Sequence, residues 1–254
     1  MRPIEGMSVL ITGGGSGLGA GAAALLARKG AKVTISGRRA DKVRAVAEAI
    51  GPNCTFVAAD VTSDADRRAM LDKALAHGGG KLDVLFNNAG NMLRGNVDSY
   101  EEETLRAVFD SNVIAPMMLT KLCSSHLIAS KGSIIFIGSG HTRRSFPGAS
   151  PYAATKGAIE TLTRVLAAEL GPKQVRVNCI IPGGIPTEIN IRAGVFTEAE
   201  SDDKYASVAP MHALGRNGTS EEIAEAVEYL ARAEWTTGSS MVVDGGMQLG
   251  VSFF

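Results

Sequence analysis

MSVLITGGGSGLGAGAAALLAR, residues 7–28, decides the architecture. Residues 7–12 are a short apolar run of strand length, and they lead straight into a glycine-rich turn, Thr12–Gly19. An alanine-rich segment follows and predicts a helix over 17–29. A strand with almost no polar residues has no face for water. It belongs in a parallel sheet covered by helices on both sides.

Outward from that unit the same alternation continues. Apolar runs predict further strands near 31–36, 54–59, 82–87, 132–138, 174–181 and 239–243. Amphipathic runs predict helices near 40–50, 64–77, 99–129, 151–170 and 220–233, with Pro116 expected to bend the long one. The pattern predicts one α/β domain over 1–254: a doubly wound, Rossmann-like parallel sheet of seven strands with helices on both faces. A chain of 254 residues can bury a sizeable core, and no linker, repeat or low-complexity segment divides it. The one long irregular stretch, about 182–219, is expected to be functional, such as a lid over a site.

Composition narrows the function. Lys+Arg and Asp+Glu number 26 each, so no basic field argues for a nucleic-acid partner. No segment reads as a signal peptide or a membrane span. Cys54, Cys123 and Cys179 lie far apart in apolar settings, with neither metal spacing nor a disulfide framework. Core cysteines in a reducing compartment, the cytoplasm, are the expectation.

Strand, glycine turn, helix is a phosphate-binding arrangement. Glycines let the backbone approach an anion, and a helix start offers free N–H groups. At the first strand–helix junction it points to a dinucleotide. An acidic residue closing strand two would accept hydrogen bonds from the adenosine ribose and indicate NAD. Here the chain reads Ser36-Gly37-Arg38-Arg39. Cations at a helix start oppose its dipole, so the two arginines call for an anion such as a 2′-phosphate. That favours NADP, with NAD the alternative. Asp60 and Val61, ending strand three, can flank the adenine. Asn87-Asn88-Ala89-Gly90 ends strand four beside strand one, where a ring system could pass. Ser139 and His141 end strand five at the same edge.

Ser150–Gly171 reads as a helix with Ser150 as N-cap, Pro151 in the first turn and Gly171-Pro172 closing it. Tyr152 and Lys156, four apart, share one face of it. A phenol titrates near ~10, and a neighbouring cation lowers that value, which suits proton transfer.

Together these motifs resemble the short-chain dehydrogenase/reductase family, and the resemblance covers essentially the whole chain. It is carried by Thr12–Gly19, Asn87–Gly90, Asn112, Ser139, Tyr152 with Lys156, Pro182-Gly183 with Thr187, and Asp244-Gly245-Gly246. The resemblance implies hydride transfer between a nicotinamide and a ketone or secondary alcohol. It implies Tyr152 as general acid or base, Lys156 lowering its pKa and holding the nicotinamide ribose, Ser139 orienting the substrate oxygen, and Asn112 supporting a proton path. It implies cofactor contacts from Gly13, Gly15, Ser16, Gly17, Leu18, Gly19, Arg38, Arg39, Asp60, Val61, Asn87, Ala89, Gly90, Pro182, Gly183, Ile185 and Thr187. Some NADP-using members carry a basic residue at the position of Ser16, so the NADP reading rests on Arg38, with Arg39 second.

The resemblance implies a small carbonyl or alcohol substrate, open among small ketones, 3-oxoacyl thioesters and polyols. The residues expected to face it are Met92, His141, Arg143, Arg144, Phe146 and the 184–212 loop. The alternatives are an NAD-dependent polyol or sugar dehydrogenase, a 3-oxoacyl thioester reductase, or an NADP(H)-sensing regulator without turnover. Excess apolar surface on the 151–170 helix and a tail ending Val-Ser-Phe-Phe predict a homo-oligomer, with a tetramer favoured by the resemblance.

Overall fold

The computed structural model describes residues 1–250. Of the predicted interface tail, Met247–Phe254, residues 251–254 therefore lie outside the described residues. In chain order come β1 (Ser8–Thr12), α1 (Gly17–Arg28), β2 (Lys32–Gly37), α2 (Ala40–Ile50), β3 (Cys54–Ala58), α3 (Asp64–His77) and β4 (Val84–Asn87). Next are α4 (Glu102–Phe109), α5 (Ala115–Ser130), β5 (Ser133–Ile137), α6 (Ser150–Leu170) and β6 (Arg176–Pro182). The short helices α7 (Ile189–Arg192) and α8 (Ser201–Val208), then α9 (Ser220–Arg232) and β7 (Ser240–Val243), complete the order.

All seven strands form one parallel sheet in the order 3-2-1-4-5-6-7, so β1 and β4 are neighbours where the winding reverses. Strand alternation divides the core in two. Val9, Ile11, Ile135 and Ile180 face α1, α2 and α9, where Leu26, Val43, Val227 and Leu230 are buried. Leu10, Ile134, Phe136 and Ile181 face α3, α5 and α6, where Met70, Leu119, Leu127 and Ile159 are buried. Cys54, Cys123 and Cys179 are free and buried, and burial pushes each thiol up to about 12.

Three expectations are corrected. The long fourth helix is two helices joined by a π-helical turn, Asp110–Ile114, in which the Ala115 N–H reaches back to the Asp110 carbonyl. The interruption falls just ahead of Pro116, which then sits in the first turn of α5, where its missing N–H is harmless. By length and composition the run Glu102–Ser130 could cross a membrane; here its Leu119, Cys123 and Leu127 lie buried under the sheet. Ala149, not Ser150, is the N-cap of α6; the Ser150 hydroxyl instead meets the Tyr100 hydroxyl. At its far end α6 stops at Leu170 with Gly171 as C-cap, as expected; Gly171 keeps right-handed geometry there, and a 3₁₀ turn, Gly171–Lys173, follows before Gln174 takes the left-handed conformation. The 182–219 stretch is not wholly irregular, since it holds α7 and α8.

Candidate active site

A cavity of about 970 Å³ opens along the carboxyl ends of β1, β4, β5 and β6. One end is the glycine turn. Gly13 and Gly17 have φ values of 68° and 53°, in the left-handed region where a side chain would strain the chain. Gly15 and Ser16 line the wall between them. Helix α1 begins after Ser16 with no side-chain cap and no acidic residue in its first turn. Its first N–H groups thus face the cavity end, as an anion such as a pyrophosphate requires. Asn88 fixes the turn: its Nδ2 donates to the Thr12 and Gly13 carbonyls, while Thr12 Oγ1 accepts from the N–H groups of Asn88 and Ala89.

The structure brings most of the predicted residues to one cavity. Gly13, Gly15, Ser16, Gly17, Leu18, Arg38, Arg39, Asp60, Val61, Ala89, Gly90, Ser139, Tyr152, Lys156, Pro182, Gly183, Ile185 and Thr187 all line the cavity. Three do not. Asn87 is buried and its amide donates to Thr120 Oγ1, so the wall position after β4 belongs to Asn88 instead. Gly19 serves packing: a Cβ there would stand 2.4 Å from the Gly13 carbonyl oxygen. Asn112 lies behind Gly90, in the π turn. Its Nδ2 donates to the Asn91 carbonyl at 2.8 Å and to Thr155 Oγ1 at 3.1 Å, and its Oδ1 accepts from Asn91 N–H. It ties the segment after β4 to α6.

Tyr152 and Lys156 rise from the first two turns of α6, with the Lys156 Nζ 5.5 Å from the centre of the Tyr152 ring. The Nζ donates to the Ile137 carbonyl at 2.9 Å. Burial pulls Lys156 down to about 8. Burial also pushes Tyr152 up to about 12, with the Ser139 hydroxyl acting in the opposite sense. In the protein alone, desolvation therefore outweighs any help the phenol draws from the ammonium.

Ser139 opens a 3₁₀ turn, and its Oγ accepts the His141 backbone N–H at 3.2 Å and meets His141 Nδ1 at 3.0 Å. The imidazole packs between Phe146 and Tyr152, with centroids 4.6 and 5.3 Å away. Burial first, and the Arg94 charge second, hold His141 down to about 4, so the ring is neutral at neutral pH.

Met92, His141 and Phe146 line the cavity, as expected of substrate-facing residues, but Arg143 and Arg144 do not. Arg143 pairs with the buried Glu160 of α6, and Arg144 donates to the Met211 and Met247 carbonyls. Both are structural. The sequence reading missed two anchors of the 184–212 loop. Tyr205 Oη donates to the Thr187 carbonyl and accepts from Thr187 N–H and Asn190 Nδ2. His212, 1% exposed, accepts the Gly184 N–H at its Nε2 and meets the Ala209 carbonyl through Nδ1. A lone tyrosine and histidine within a polar loop were the available signal.

A family model described as enoyl-(acyl carrier protein) reductase matches residues 13–248. The chain is 35% identical to an uncharacterized oxidoreductase of Methylorubrum extorquens, over 98% of this chain and 100% of that one. A short-chain dehydrogenase/reductase of unknown function from Caenorhabditis elegans, crystallised with cofactor, superposes with a TM-score of 0.91 at 29% identity, covering 98% of each chain. A 3-ketoacyl-(acyl-carrier-protein) reductase from Brucella melitensis, complexed with NADH, gives 0.86 at 32% identity, covering 96% of this chain and 99% of that one. With the parallel sheet and the cavity at its switch point, these likenesses establish that the chain belongs to the short-chain dehydrogenase/reductase family of oxidoreductases.

Proposed function

We propose that this protein is an NADP-dependent oxidoreductase that interconverts a ketone and a secondary alcohol. The observation that carries the reading is the convergence of Ser139, Tyr152 and Lys156 on the cavity that also holds the open glycine turn. The nicotinamide supplies or accepts the hydride when bound. The chain does the rest. Gly13–Gly17 and the start of α1 hold the pyrophosphate, while Arg38 and Arg39 meet the 2′-phosphate. Asp60 and Val61 flank the adenine. Ala89, Gly90, Pro182, Gly183, Ile185 and Thr187 border the nicotinamide end. Ser139 Oγ and Tyr152 Oη donate to the carbonyl oxygen as charge builds on it. Tyr152 gives up its proton in reduction and regains it through Lys156, with Asn112 holding the path. A phenol held high by burial is suited to keep its proton until charge builds on the carbonyl oxygen, and the Lys156 ammonium would then favour the phenolate left behind.

Met92, Phe146, Val195, Phe196, Val208 and Met211 line the substrate end, which supports a carbonyl compound with an apolar body over a polyol. Ile114, Met117, Met118 and Val165 are exposed on the π turn, α5 and α6, which supports a homo-oligomer, a tetramer by family likeness. The test is steady-state turnover of a ketone and polyol panel with NADPH and NADH, read by nicotinamide absorbance. The expected result is NADPH-linked ketone reduction that falls about 10²–10⁴-fold in Tyr152→Phe, with cofactor affinity kept. Tight NADP(H) binding without turnover of any compound would mean a sensor instead.

A further inference from the structure

Glu188 stands where a phosphate is wanted. It is the residue before α7, yet its carboxylate lies across the cavity on the start of α2, 149 residues away in sequence from Arg39. Its Oε2 accepts from Arg39 Nη2 at 2.6 Å, and its Oε1 lies 3.5 Å from Lys42 Nζ. Arg39 also donates to Ser16 Oγ at 3.3 Å, which places this pair at the lip of the glycine turn. Although burial works against it, the Arg39 hydrogen bond and the charges of Arg39 and Lys42 hold Glu188 below the usual carboxylate range. Arg38 and Arg192 line the same cavity, and burial first, then the charges of Arg39 and Arg38, hold Arg192 below the usual guanidinium range, with Glu188 acting in the opposite sense. Arg39 and Lys42 thus share one carboxylate, with Arg38 and Arg192 lining the same cavity, so the cations outnumber the anion they meet. The neighbouring Thr187 closes the same end: a Cβ on Gly17 would be 3.1 Å from its Cγ2.

We infer that Glu188 is a latch, a carboxylate that competes with a ribose 2′-phosphate for Arg39 and Lys42. It thereby sets the preference between NADP and NAD while drawing the substrate segment over the glycine turn. The inference rests on the proposed nucleotide site. A dianionic phosphate satisfies two cations better than a carboxylate does, so it can displace Glu188, but only by breaking that pair first. An unphosphorylated ribose leaves the latch shut.

The test is a titration of wild-type protein and Glu188→Gln with 2′,5′-ADP and with 5′-AMP, which probe the adenosine end alone. Arg39 and Glu188 are partly solvated, so the pair is modest and the expected gain is roughly three- to fivefold tighter 2′,5′-ADP, with 5′-AMP changed less than twofold. Glu188→Ala should move the same way, which guards against a fault peculiar to glutamine. Unchanged or weaker 2′,5′-ADP binding, or an equal change for both fragments, overturns the latch. If wild-type protein prefers 5′-AMP and Glu188→Gln reverses the order, the latch stands and the NADP reading falls. If neither protein binds either fragment, the nucleotide site falls and takes the latch with it.

Discussion

At the glycine turn the backbone is fixed by what a side chain would strike. A Cβ on Gly14 would lie 2.5 Å from the Cβ of Ile35, and one on Gly19 would meet the Gly13 carbonyl. Across the cavity, the 184–212 segment is fixed by side chains reaching in: the hydroxyl of Tyr205 and the imidazole of His212. The first end tolerates almost no change, because nothing there can move without the sheet. The second can open by giving up a few hydrogen bonds. A cavity that must admit a cofactor and then enclose a substrate needs one rigid end and one that yields.

The sharpest way to break this contrast is Gly14→Ala. The added methyl forces β2 and the turn apart, which is expected to cost about 1–3 kcal/mol and lower Tm by several degrees in calorimetry. A Tm within a degree of wild type would show that the rigid end is not rigid. Tyr205→Phe is the matching change at the yielding end. It removes three hydrogen bonds from residues 187–190, so KM should rise several-fold while Tm falls less than in Gly14→Ala. A larger Tm loss than Gly14→Ala would reverse the comparison.

Lys156, where the two ends meet, is probed by pH instead of by sterics. Its pKa falls from 10.5 to about 8 on burial, so below pH 8 the folded protein bears the full cost of an enclosed charge. Between pH 8 and 10.5 the native state sheds that proton before the unfolded chain does, and this contribution to stability rises with pH. Tyr152 acts oppositely: raised from 10.0 to about 12, it erodes stability only above pH 10. Urea unfolding of wild type against Lys156→Met across pH 7–10 should show the gain in wild type and not in the variant. Parallel curves would mean that Lys156 is not strained by burial.

The sheet was readable because buried parallel strands carry an unbroken apolar signal, and the glycine turn because its sterics are local. What was hidden depended on parity or distance. Asn87 and Asn88 differ by one position, and only the fold says which points to the cavity. Glu188 and Arg39 are 149 residues apart, and Arg143 finds Glu160 across a turn; neither pairing leaves a local trace. The arginines at 143 and 144 were credited with facing substrate because their partners could not be seen. The π turn was hidden for another reason: Pro116 announces an interruption but not its pitch.

That turn has a consequence for how the chain can vary. By holding one residue more than an α-turn, it absorbs an offset of about 100°, one residue's share of a helical revolution, that the same sequence would show as an uninterrupted α-helix. The orientation of Asn112 toward Thr155 and the outward aim of Met117 and Met118 are therefore geared together. Deleting a single amino acid between 110 and 114 would let the turn close to an ordinary α-turn and leave Leu119 and Cys123 beneath the sheet. The same deletion within the regular turns of α5 would swing the residues beyond it out from the sheet.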